Sequence, residues 1–132
     1  MAVLNKVPLA LESEIQTSIL RYLYARGITF WRINTTGIYD VAKKKFRPSP
    51  TKGVSDILGV LPNGRFLAIE VKSPKGSVTK DQQVFLDKVN ASHGLAFVAR
   101  SIRDVEVQLD AYFREQLKIV PSMKPELEKV AF

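Results

Sequence analysis

The chain has 132 residues, 45% of them hydrophobic and 25% charged, and carries a formal charge of +7. That is one domain with a core of its own, and its basic excess suits a polyanionic partner, nucleic acid before a membrane surface. The absence of cysteine excludes disulfides, thiolate metal sites and a cysteine nucleophile and fits a cytoplasmic protein.

No apolar run approaches the roughly 20 residues of a membrane span, and no signal-peptide core follows Met1 to Lys6, so neither is expected. Helical spacing of Ile15, Ile19, Tyr22 and Leu23 predicts a first helix from Leu11 to Arg26, stopped by Gly27. At about 100° per residue, Glu12 and Gln16 fall on the side of those apolar residues and Glu14 nearly opposite. An acid turned inward needs a partner or a metal, so Glu12 is the candidate functional acid and Gln16 lies beside it. Glu14 is expected to be a solvated first-turn acid favoured by the helix dipole.

Ile28 to Asn34, rich in β-branched and aromatic residues, is predicted to be a strand. Arg32 and Asn34 share one face of it as candidate phosphate contacts, and Trp31, on the other, is expected in the core. Thr35 to Gly53 is a long polar connection, with short strands expected at Ile38 to Val41 and near Lys45. Lys43, Lys44, Lys45, Arg47 and Lys52 fall within it with no acid among them, as a loop that grips phosphate would have.

Asp56 to Leu61 and Phe66 to Lys72 are strand-like and separated by Pro62-Asn63-Gly64-Arg65. A two-residue Asn-Gly hairpin would make Pro62 and Arg65 a hydrogen-bonded pair, and proline has no N–H to give. A three-residue loop with Gly64 in the left-handed bulge position avoids this. In that register Asp56 faces Glu70, and side-chain alternation puts Lys72 on the same face. Leu67, Ile69 and Val71 are then expected to face a core, while the alternate face turns polar toward Lys72. Two adjacent carboxylates repel unless a cation neutralises them, and oxygen-only ligands suit Mg²⁺ or Mn²⁺. Spacing alone equally allows an exposed strand salt bridge.

Thr79 is placed to cap a helix whose third residue is Gln82, with Val84, Phe85 and Val89 as its apolar stripe and Gly94 at its end. His93, beside that glycine, is expected to interact with the last helical carbonyls. Leu95 to Arg100 is a further strand. Ser101 and Asp104 then cap a last helix with Val105, Leu109, Tyr112 and Phe113 inside. The predicted order is α-β-β-β-α-β-α: an α/β fold with a small mixed sheet flanked by helices, and a Pro-broken tail from Pro121.

Gly53-Val54-Ser55-Asp56, the run Phe66 to Lys72 and Thr79-Lys80-Asp81-Gln82 together resemble the VRR-NUC family. This is a branch of the PD-(D/E)xK nuclease superfamily, which has a restriction-endonuclease-like core and also includes archaeal-type Holliday junction resolvases. Glu12-Ser13-Glu14-Ile15-Gln16 and Trp31-Arg32-Ile33-Asn34 extend the likeness, which covers about Glu12 to Val105; Ser55 replaces the superfamily's proline. The resemblance implies that Asp56 and Glu70 bind metal, with the Val71 carbonyl as a third ligand; it also implies a first-helix acid, a place that the helix geometry assigns to Glu12 over Glu14. It makes Lys72 the catalytic lysine and brings Gln82 to the site, where Gln82 otherwise only completes a capping box.

The function expected is a stand-alone, phage-type, Mg²⁺- or Mn²⁺-dependent DNA endonuclease. Its core would span about residues 9–117 and its tail 118–132. No base-reading element is visible, so shape and backbone recognition of branched DNA by a homodimeric Holliday junction resolvase is expected. Val120, Met123, Leu127, Val130 and Phe132 are candidates for the dimer contact. A flap or nicking nuclease, a non-catalytic DNA-binding module and a protein-interaction domain are the alternatives.

Overall fold

The computed structural model describes residues 11–33, 38–47 and 52–119, so Asn34 and the expected tail contacts lie outside the described residues. Helix α1 spans Glu12–Ala25 and is followed by strand β1, Thr29–Arg32; Gly27, at φ 72°, makes the left-handed stop between them. Two short strands, β2 (Ile38–Asp40) and β3 (Lys45–Arg47), pair antiparallel as a separate hairpin inside the polar connection. Strands β4 (Ile57–Val60) and β5 (Phe66–Val71), helix α2 (Lys80–Ala91), strand β6 (Leu95–Ala99) and helix α3 (Ile102–Ile119) complete the chain.

The main sheet runs β1-β4-β5-β6, with β5 and β6 parallel and the other pairs antiparallel. A parallel pair needs a crossover, and α2 supplies it. Around the Pro62 turn, Ile57 faces Ile69, Leu61 N–H donates to the Arg65 carbonyl at 2.9 Å, and Gly64 sits at φ 87°. The three-residue loop is therefore the one formed. Tyr112 of α3 fixes it further by accepting the Asn63 N–H at 3.2 Å.

Helices α1 and α3 cover one face of the sheet. Ile15, Ile19, Leu23, Ile57, Leu67, Ile69, Val71, Val105 and Leu109 meet there in the larger core. The other face is covered as well: Leu86 and Val89 of α2 pack on Ala68 and Ala96, with Leu58, Phe85 and Val98 at the edge. This corrects two expectations. The Ala68–Glu70 face of β5 is buried rather than open, because the small side chains of Ala68 and Ala96 let α2 lie close. The stripe of α2 contains Leu86 in place of Val84, which is 43% exposed.

The end of α2 also differs from expectation. The helix stops at Ala91, and the left-handed residue is His93, at φ 67°, whose backbone N–H donates to the Asn90 carbonyl. Gly94 serves instead as the point of close approach between Val89 and Phe66.

Candidate active site

The β4–β5 register, continued by one residue past Ile57↔Ile69, sets Asp56 opposite Glu70 at the carboxyl ends of the parallel strands β5 and β6. Open α/β sheets place their ligands at such strand ends. Asp56 is anchored there, since its Oδ2 accepts the Val71 N–H at 2.8 Å. Glu70 is only 2% exposed and lies under α2.

Gln82 joins the pair from the first turn of α2. Its Oε1 accepts the Thr79 N–H at 2.9 Å, and its own N–H donates to Thr79 Oγ1 at 3.2 Å. The same amide donates through Nε2 to Glu70 Oε2 at 3.3 Å. One side chain thus caps the helix and reaches the carboxylate at once. The other oxygen, Glu70 Oε1, is buried without a hydrogen-bond partner.

A buried carboxylate that is half satisfied cannot easily ionise. Burial raises the Glu70 pKa to about 8, helped by the adjacent Asp56 carboxylate and by the charge of Glu12; Lys72 opposes the shift. These effects place Lys72 and Glu12 in electrostatic range of Glu70. Glu12 is exposed and Gln16 half-buried, while Glu14 Oε1 accepts the Leu11 N–H and serves the helix end.

Raised from 4.5, the Glu70 pKa makes the folded metal-free chain hold a proton that the unfolded chain releases. The stability it contributes is present below about pH 4.5 and is lost as pH climbs through about 8. The melting temperature in a chelator should fall between those limits, and added Mg²⁺ or Mn²⁺ should raise it most at the alkaline end. A melting temperature flat across this window would contradict the assignment.

The site fits a divalent cation: two side-by-side carboxylates, an unpartnered buried oxygen and only oxygen donors are what such an ion requires. Among the described residues no three His, Cys, Asp or Glu side chains gather as a ready-made cluster. Asp56 and Glu70 are a pair, which is enough for an ion that keeps most of its waters.

Other sequence candidates fall elsewhere. Arg32 faces Ile57, so it lies on the sheet face opposite the carboxylates. Lys43, Lys44 and Lys45 are exposed on the β2–β3 hairpin, with Lys44 at φ 52°; Arg47 belongs to β3. Lys52 is paired with Asp81 at 3.4 Å across the surface. Trp31 is not in the core; it is 55% exposed. Ser55 is fully buried, with its hydroxyl unpartnered.

Arg100 was not singled out by the sequence. Its Nη1 donates to the carbonyls of Ser73 at 2.9 Å and Gly76 at 2.6 Å, tying down the loop that runs from Lys72 toward Gln82. The Lys72 N–H donates to the Ala99 carbonyl at 3.0 Å, which continues the β5–β6 ladder to the lysine itself.

Among the described residues no helix is long and apolar enough to cross a membrane. A family model described as the VRR-NUC domain matches residues 13–102, more than half of the chain, and no curated protein matches it.

Proposed function

The chain belongs to the VRR-NUC family, a nuclease domain family of the PD-(D/E)xK type, and from that premise we propose a divalent-metal-dependent endonuclease that cuts branched DNA. The family implies nuclease activity and, with it, DNA binding. The observation that carries the finer reading is the buried, unpartnered oxygen of Glu70, whose other oxygen accepts from Gln82 and which has Asp56 and Lys72 in electrostatic range.

In this reading Asp56, Glu70 and the Val71 carbonyl would hold Mg²⁺ or Mn²⁺, with Glu12 at the rim. A divalent cation there would lower the pKa of a water and neutralise charge on the scissile phosphate. The chain's own groups do the rest. Gln82 keeps Glu70 Oε2 occupied and leaves the buried Oε1 as the carboxylate oxygen without a partner. Lys72 offsets negative charge that grows on the phosphate oxygens in the transition state. The Val71 amide holds Asp56 and the Gln82 amide holds Glu70, which fixes the direction of each carboxylate.

Nothing among the described elements resembles a base-reading helix in a groove, and the exposed lysines of the β2–β3 hairpin suit backbone contacts. A two-fold homodimer would present two such sites to two strands of like polarity, as resolving a four-way junction requires. We therefore propose a homodimeric Holliday junction resolvase of phage or prophage type, working in the host cytoplasm.

The test is a panel of labelled four-way, flap, nicked and linear DNAs in Mg²⁺ and Mn²⁺, beside Lys72→Ala. Paired symmetric cuts in the junction are expected, with Lys72→Ala slower by about 10²–10³-fold. Preference for the flap or nicked substrate would make it a nuclease of the same chemistry acting elsewhere. No cleavage with any divalent ion would leave a DNA-binding module and overturn the proposal.

A further inference from the structure

Trp31 is the chain's only tryptophan, and it stands more than half exposed on strand β1, the outer edge of the main sheet. Its direction follows from the register. Phe30 packs into the α1–α3 core, whereas Trp31 pairs with Leu58, whose side chain belongs to the α2 face. That is also the face of Asp56 and Glu70. Ile33 N–H donates to the Asp56 carbonyl at 2.7 Å, so Ile33 is the cross-strand neighbour of Asp56 and Trp31 is its diagonal neighbour. Diagonal pairs on one sheet face lie roughly 7–8 Å apart.

Helix α2 covers β5 and β6 and reaches only as far as Leu58, which leaves the indole uncovered beside the carboxylates. Other exposed apolar residues of this face, Val60 and Phe66, lie at the far end of the sheet. A large flat ring next to a phosphodiester site, on a chain of charge +7, has one obvious chemical complement. Every nucleobase offers a face for stacking, and an aromatic platform takes it without reading sequence.

We propose that Trp31 is a stacking platform for an unpaired nucleobase adjoining the scissile phosphate, and that it gives the site its preference for DNA whose bases are unstacked at a branch. This rests on the nuclease reading above and adds to it a substrate-selecting residue outside the metal-binding pair. Bases inside an intact duplex are occupied by their neighbours, so the platform favours junctions, flaps and single strands over continuous duplex.

The single tryptophan makes the test direct, because intrinsic indole fluorescence then reports this residue alone. Wild-type protein in a chelator is titrated with an oligothymidylate and with an abasic phosphodiester strand of equal length. The thymidylate should quench the indole and the abasic strand should not. Trp31→Ala should weaken thymidylate binding by roughly 5- to 150-fold and leave abasic binding unchanged, while Trp31→Phe should keep most of the affinity. Equal quenching by both strands, or Trp31→Ala binding thymidylate as wild type does, would overturn the proposal. If Trp31→Ala does not fold, the two strands compared on the wild type still decide. The readout needs no cleavage, so base-dependent quenching in a protein that cuts no DNA would refute the nuclease reading and leave Trp31 as a base-stacking platform without a scissile phosphate beside it.

Discussion

Glu70→Gln should abolish cleavage and, in the same protein without metal, raise the melting temperature. The amide keeps the size of the side chain and can still accept from Gln82, which sits 3.3 Å from Glu70 Oε2. What it removes is the ionisable group. Above about pH 8 the wild-type chain must hold a charge with one buried oxygen unpartnered. Replacing buried charge by neutral groups of similar volume is commonly stabilising by about 1–4 kcal/mol, and at this chain length each kcal/mol moves the midpoint by about 4 °C. Cleavage should drop by about 10²–10³-fold or more, since the charge that would hold the cation is gone. Opposite signs for stability and activity mark a group retained for chemistry. A variant that loses both would show that Glu70 is part of the packing instead.

The second large effect lies outside the carboxylates, at Gly53. It has φ 86°, and a Cβ there would stand 2.8 Å from the Asp81 carbonyl oxygen and 3.0 Å from the Asp81 carbonyl carbon. These are backbone atoms in the first turn of α2 and cannot swing aside. The close approach joins the loop leading into Asp56 to the helix turn that carries Gln82, and the Lys52–Asp81 ion pair spans the same junction. Gly53→Val adds left-handed strain of about 1–2 kcal/mol and a steric clash of about 1–3 kcal/mol. The expected result is a loss of about 2–5 kcal/mol in stability and a matching fall in cleavage at temperatures where the wild type is folded. Thermal unfolding beside initial cleavage rates would show it. An unchanged midpoint would mean that the loop is not pinned to α2.

Much of this architecture can be read before any coordinates, and the reasons are local. Pro62 lacks the N–H that a two-residue hairpin would demand, so the register that pairs Asp56 with Glu70 follows from one missing donor. Thr79 and Gln82 announce their capping box by spacing, and Gly27 announces the end of α1. The short strands within the polar connection are visible as well, in β2 and β3.

What escaped depends on which elements become neighbours. The periodicity of β5 marks one core face, but only the packing of Leu86 and Val89 on Ala68 reveals that Glu70 is buried too. An aromatic run such as Phe30-Trp31 reads as core because nothing local says that β1 ends the sheet. For the same reason Arg32 and the carboxylates were not seen to lie on opposite faces. Arg100 resembles any surface cation until the loop it binds, more than twenty residues earlier, folds back beside it.

The claim at the centre is that Asp56 and Glu70 form a divalent-cation site that hydrolysis depends on. The most direct measurement is a calorimetric Mn²⁺ titration of wild type and Glu70→Gln at an alkaline pH where Glu70 has lost its proton, with cleavage followed in the same samples. Wild type should bind Mn²⁺ and cut DNA, with both signals missing from the folded, more stable variant. Mn²⁺ binding of equal strength in the two proteins, or cleavage that survives in Glu70→Gln, would contradict the account.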